Sequence, residues 1–144
     1  MYILDTNVIS ELRKGKSGKA NQNVIEWVNG ISVSSLYISV ITILELEMGV
    51  LSKERKDSSQ GAILRSWFNN HVMPAFAERI LPIDTAIAQR CARLHIPNPH
   101  SDRDALIAAT ALVHGMTLIT RNTCDFEKAG LDIINPWHNY QNPL

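Results

Sequence analysis

At 144 residues and 16.1 kDa the chain is sized for one domain, residues 1–144, able to close a single core without disulfides or a structural metal. Its 14 basic and 14 acidic side chains cancel, which excludes a protein drawn to nucleic acid or membrane by its overall field and leaves such binding to a local patch. Two separated cysteines, Cys91 and Cys124, exclude a disulfide framework or a thiolate zinc set, and no apolar run approaches the roughly 18 residues of a membrane span.

Residues 2–4 read as a buried strand that stops at Asp5-Thr6-Asn7 and resumes as the helical pattern Val8-Ile9-Ser10-Glu11-Leu12. Met1 leads straight into that strand with no charged region before an apolar one, so no signal peptide and a cytoplasmic setting are expected. Asp disfavours strands. A carboxylate where a strand hands over to a helix lies at the carboxyl edge of a sheet, where open α/β folds bind ligands. Residues 13–19, rich in Lys and Gly, read as a loop. Val24, Ile25 and Val28 give 21–30 a short amphipathic helix, and 36–39 read as a strand.

In the helix that follows, Glu45 and Glu47 interrupt two apolar faces, one of Ile41, Leu44, Met48 and Leu51 and one of Ile43, Leu46 and Val50. Only one of the two glutamates can look into a given cleft. Glu45, nearer the helix start and so nearer the sheet edge, is assigned there, and Glu47 to solvent or a partner. The charges and serines of 52–59 read as a second loop. Ile63, Leu64, Trp67, Phe68 and Val72 carry a further helix that Pro74 breaks or kinks.

Residues 80–82 read as a strand, and Asp84 caps a helix from 85 to about 95 whose stripe Ile87, Cys91, Leu94 places Cys91 in the core. Pro97-Asn98-Pro99-His100 forbids helix. Residues 104–114 are apolar almost all round, the mark of a central helix buried on several sides, with Gly115 as its stop. Strands at 117–120 and 132–134 follow. The alternation of short apolar runs with helical segments predicts a parallel sheet with helices on both faces.

Four acids fall where strands end or a buried helix begins: Asp5, Glu45, Asp104 and Asp125. In a parallel sheet with helical crossovers these junctions share one edge, so the acids can converge. Singly, each has a local reading as well. Thr42 to Glu45 and Ser101 to Asp104 fit a capping box as readily as chemistry, and Asp125 fits the cap of a short helix over 126–129 that Gly130 closes. Asp5 is the acid that capping explains least. Crowded carboxylates repel one another, a conflict that hard Mg²⁺ or Mn²⁺ removes while keeping waters available. Such a centre suits phosphodiester hydrolysis.

The five histidines, His71, His95, His100, His114 and His138, form no metal-binding pair, and the chain has no nucleophile elbow, Walker loop or dinucleotide turn. His114 complements the dipole at the end of its helix. Arg13, Lys14, Lys16 and Lys19 make the densest basic run, while Arg103 and Arg121 flank two of the acids. They read either as a solvated surface or as the cations that a nuclease of zero net charge needs for backbone phosphates.

Five segments together, ILDTNVISE, SVITILELEMGV, DALIAATA, TLITRNTCDF and INPW, spread in order over nearly the whole chain. With them the sequence resembles the PIN-domain ribonucleases, and within those the VapC/FitB-like toxins of bacterial type II toxin–antitoxin systems. The resemblance implies a three-layer α/β/α fold around a parallel sheet of about five strands. It implies Mg²⁺- or Mn²⁺-dependent endoribonuclease activity, a homodimer, and a cognate VapB-like antitoxin that lays a C-terminal segment into the cleft, often with an arginine facing the acids. Residue by residue, Asp5, Glu45 and Asp104 match the family's first three acids, Thr6 and Asn7 the polar pair that orients the first, and Thr120 the threonine ending the fourth strand. Asn122 stands where some relatives carry Asp, and Asp125 occupies the later acidic position. Asp102 reads as an auxiliary acid or a capping residue.

Other readings differ in what they require. A phosphoacceptor signalling domain needs an acid pair after the first strand and a late lysine, where this chain has Thr6-Asn7 and Arg121. A non-catalytic binding module would keep the acids only as caps, which metal titration separates. A PIN-like nuclease acting on DNA would carry DNA-binding additions that a chain of this size lacks.

Overall fold

The computed structural model describes residues 1–124 and 129–138. Strand β1 (Tyr2–Leu4) runs into helix α1 (Thr6–Arg13), a 3-10 turn (Lys14–Ser17) and α2 (Gln22–Asn29). A second 3-10 turn (Val33–Ser35) leads to β2 (Leu36–Ser39), α3 (Val40–Lys56), α4 (Ser58–Trp67), a π-helical turn (Phe68–Val72) and the short α5 (Met73–Ala75). Then come β3 (Ile80–Leu81), α6 (Thr85–Leu94), α7 (Asp102–His114), β4 (Thr117–Ile119) and β5 (Ile133–Ile134).

The strands form one parallel sheet in the order β3-β2-β1-β4-β5. The first strand is therefore central. Successive side chains on a strand point to opposite faces, and the core divides accordingly. Leu4 and Ile119 join Val8, Val24, Leu46 and Phe68 on one side, while Ile3 and Leu118 meet Ile107, Ala108 and Ala111 of α7 on the other. Helices cover both faces, so the expected three-layer architecture with five strands is the observed one.

Helix starts are set by short polar side chains, which satisfy amides that a first turn leaves without partners. Asp5 accepts from the Thr6 amide, Ser39 from Ile41, Asp57 from Gln60 and Asp84 from Ile87. Gly115, at φ +64°, closes α7 in the left-handed conformation that favours glycine.

Some expectations need correction. Residues 13–19 are largely ordered into the end of α1 and the 3-10 turn. Residues 52–59 are helical apart from Asp57, because Lys, Glu and Arg are good helix formers whatever their solubility, and basic side chains suit a final turn. The cap of α3 is Ser39, so Glu45 sits in the second turn with no capping role. The two apolar faces assigned to α3 are not both buried: Ile41, Leu46 and Val50 are, whereas Leu44, Met48 and Leu51 are exposed. Strands 80–82, 117–120 and 132–134 each lose one residue, and Pro82 has no amide to give a ladder.

Helices α3 and α4 approach closely at Gly61, where an added Cβ would lie 2.4 Å from the Glu54 Cα. Arg65 ties the pair further, with Nη1 2.5 Å from Glu47 Oε2 and Nη2 3.0 Å from Glu54 Oε1. Glu47 is thus paired, as expected. Because backbone cannot give way as a side-chain tip can, Gly61→Ala is expected to cost about 2–3 kcal/mol through overpacking. Thermal unfolding should show this as a clear fall in Tm, and an unchanged Tm would mean that the two helices do not pack so tightly.

Candidate active site

Asp5 leaves the end of β1 with its own amide bonded to the Ile119 carbonyl at 2.9 Å. The adjacent strand end therefore fixes it. Its Oδ1 accepts from the Thr6 amide at 2.8 Å, and its Oδ2 from the Thr120 hydroxyl at 2.7 Å. Asn7 Nδ2 lies 3.5 Å from Oδ2 and 3.4 Å from Thr120 Oγ1, and the Asn122 amide donates to Thr120 at 3.1 Å. Thr120 itself is buried.

Glu45 reaches the same place from the second turn of α3, with Oε1 2.7 Å from Thr6 Oγ1 and Oε2 3.8 Å from Arg103 Nε. Asp104 comes from the first turn of α7. Asp5, Glu45 and Asp104 line one cavity of about 430 Å³ together with Thr6, Asn7, Lys14, Arg121 and Asn122. Burial pushes the Asp5 carboxyl above its ordinary value; the Thr120 and Thr6 bonds oppose this, and the charges of Asp104 and Glu45 add to it. Repulsion among the three is thus felt at Asp5.

Ser10 and Glu11 also line the cavity. Glu11, 8% exposed, accepts from the Asn21 amide at 2.8 Å and from Lys14 Nζ at 3.2 Å. That amide, followed by Lys14, holds its carboxyl below the usual carboxylate range. Sequence reasoning missed this residue. Its signal was the spacing Asn7, Ser10, Glu11, Lys14, which runs one stripe along α1 into the turn after it.

The basic run divides. Lys14 faces the acids, whereas Arg13 and Lys16 line a separate apolar groove of about 630 Å³ with Leu12, Ile63, Leu64, Trp67 and His71. Arg13 lies over the Trp67 ring at 5.9 Å, and Lys19 lines neither space. Arg121 is in the cavity. Asp102 is exposed, 3.4 Å from His95 Nε2, and does not line it. Cys91 is buried, as expected. Asp125, and with it the expected helix over 126–129, falls partly or wholly on residues 125–128, outside the described ones.

The donors are all hard oxygens, and a partly buried carboxylate repelled by two others is what a divalent cation relieves. The donor chemistry fits Mg²⁺ or Mn²⁺. Among the described residues, no three His, Cys, Asp or Glu side chains are already drawn together closely enough to enclose an ion.

A parallel α/β sheet with acids gathered at its carboxyl edge defines the class. The PIN domain description matches residues 2–130, and the chain belongs to that family. A VapC ribonuclease of Sinorhizobium fredii is 39% identical over 142 residues, spanning 95% of this chain and 98% of that protein. The structure of FitAcB from Neisseria gonorrhoeae superposes with a TM-score of 0.86 at 33% identity, over 96% of this chain and 100% of that one. A toxin–antitoxin complex from Klebsiella pneumoniae gives 0.67 at 26% identity, over 94% and 98%.

Glu11 yields a pH prediction. A carboxylate with a lowered folded pKa contributes stability above its unfolded value, lost as pH falls through the folded one. Glu11→Gln is expected to cost about 1–2 kcal/mol near neutrality. The Tm gap to wild type should close below about pH 4; a gap that persists in acid would show that charge on Glu11 is not what matters.

Proposed function

We propose that the chain is the toxin of a type II toxin–antitoxin system, a divalent-metal-dependent endoribonuclease acting as a single domain in the cytoplasm. The observation that carries this reading is the meeting of Asp5, Glu45 and Asp104 in one cavity at the sheet edge. Kinship to a protein named as a VapC ribonuclease supports the substrate class.

Asp5, Glu45 and Asp104 would hold Mg²⁺ or Mn²⁺, with Asp125 as a fourth carboxylate. When bound, the ion supplies Lewis-acid charge and a water of lowered pKa. The protein does the rest. Thr120 and the Thr6 amide fix the two oxygens of Asp5, Thr6 and Arg103 orient Glu45, and Asn7 and Asn122 buttress Thr120. Lys14 and Arg121, on the rim of the acids, hold backbone phosphates. Capping alone does not account for the grouping, since Glu45 caps nothing.

The partner in this reading is a VapB-like antitoxin. Its apolar side chains have a seat in the groove of Leu12, Ile63, Leu64 and Trp67, and an arginine would complement the acids. The similarity to a toxin–antitoxin complex supports it. A second copy completes a homodimer through the exposed row Leu44, Met48 and Leu51 on α3, an apolar strip of the kind that association covers.

Purified, antitoxin-free chain is expected to cleave RNA with Mg²⁺ or Mn²⁺ and to stop with EDTA, and Asp5→Asn should fall at least about 100-fold. Equal activity of the two chains would assign the cleavage to a contaminant. Thr120→Val, which removes the hydroxyl from Asp5, should weaken Mn²⁺ binding about 10–100-fold in calorimetry. Unchanged affinity would mean that Asp5 needs no such support.

A further inference from the structure

The INPW segment has no part in the site described so far. It begins at Ile134, the last residue of β5, while Arg121 lies two residues past the end of β4, and the two strands are neighbours, with the Thr120 amide bonded to the Ile134 carbonyl at 3.0 Å. The turn after β5 is tightly held. The Trp137 amide donates to Asn135 Oδ1 at 2.9 Å, the His138 amide to the Asn135 carbonyl at 3.2 Å, and Asn23 Nδ2 of α2 to the Trp137 carbonyl at 2.7 Å. Trp137 also packs against the core. Its indole is thus a fixed platform, and the Arg121 guanidinium lies over it, 5.2 Å from the ring centroid.

Arg121 is exposed on the wall of the acidic cavity. A long side chain there would sample many rotamers, or swing onto the nearest carboxylate. A planar guanidinium stacked on an aromatic face keeps its outward N–H groups free to meet a phosphate. We infer that Trp137 is a positioning residue that presents Arg121 to a backbone phosphate of the RNA strand bound at the acids. This rests on the nuclease reading above and adds to it a residue outside the acidic set, one that serves to bind the strand rather than to break it.

The experiment uses the full chain carrying Asp5→Asn, so that a short fluorescein-labelled single-stranded RNA of mixed sequence survives, and measures Kd by anisotropy against salt in Mg²⁺. Arg121→Gln is expected to weaken binding several-fold and to reduce the slope of log K on log salt by about 0.7, one phosphate contact on a single strand. Trp137→Leu should do the same, with no further loss when the two are combined, and Trp137→Phe should restore binding because it keeps an aromatic face. A purely structural tryptophan would tolerate Leu and Phe alike and leave the slope unmoved, which overturns the inference. Arg121→Lys is a second arm that leaves Trp137 untouched. It keeps the charge without the planar stack and should behave like Arg121→Gln; binding near the parent level would mean that stacking is not needed. Absence of RNA binding in the parent overturns the inference as well. Failure of the nuclease reading is seen separately, as RNA left intact by the wild-type chain in Mg²⁺ and Mn²⁺ while these binding differences remain.

Discussion

The site depends on holding one carboxylate in place where burial disfavours its charge. Asp5 ends the central strand, flanked by β2 and β4, and burial works against its ionised form. An ionised group in such a place persists only if its oxygens find donors. Those donors come from the two segments that the sheet brings nearest: Thr6, the next residue, and Thr120, at the end of the adjacent strand. Parallel pairing of β1 with β4 is therefore what makes Thr120 a neighbour of Asp5, across most of the chain.

The same topology brings in the other acids. A helix following a parallel strand begins at the strand's carboxyl edge, and α7, which returns the chain to the start of β4, begins at that edge too. The N-termini of α1, α3 and α7 are thus near one another, each with the positive end of a helix dipole. Asp5 caps the first and Asp104 lies in the opening turn of the third. Glu45 stands one turn deeper, where the dipole effect has faded, and it is the acid given a hydroxyl from Thr6 and a guanidinium from Arg103. Small residues on α7 let that helix sit this close. Ala108 and Ala111 pack toward the sheet while Ala105 and Ala109 face Ile87 and Cys91 of α6, all four fully buried.

Much of this was legible from residue order, because both the period of apolar residues and the position of polar ones are local signals. The run before Asp5, the capped stripe of Ile87 and Cys91, and the nearly all-apolar helix ending at Gly115 each announced a real element. Errors arose where chemistry and partner are decided elsewhere. Leu44, Met48 and Leu51 show the apolar period as plainly as Leu46 and Val50 do; periodicity reveals that a face is apolar, and nothing in it says which neighbour covers that face. Polar composition suggested loops at 13–19 and 52–59, yet Lys, Glu and Arg extend helices readily when a cap follows. Glu11 was overlooked because Lys14, three residues on, looks like an ordinary surface pair, while the Asn21 amide meets it only after the chain has turned back toward α2.

The basic run shows how a chain of zero net charge can still set cations on two different surfaces. Adjacent residues on a helix diverge by about 100°, so Arg13 and Lys14, though consecutive, look into different spaces. Lys14 is held by Glu11 at the acidic cavity, and Arg13 is laid on Trp67 at the apolar groove. Each cation is immobilised by a different kind of contact, an ion pair in one case and an aromatic face in the other. A change at either position should therefore alter one surface and spare the other. The two surfaces share a helix but not its side chains, and this separation lets one short segment present Lys14 to the acidic cavity and Arg13 to the apolar groove.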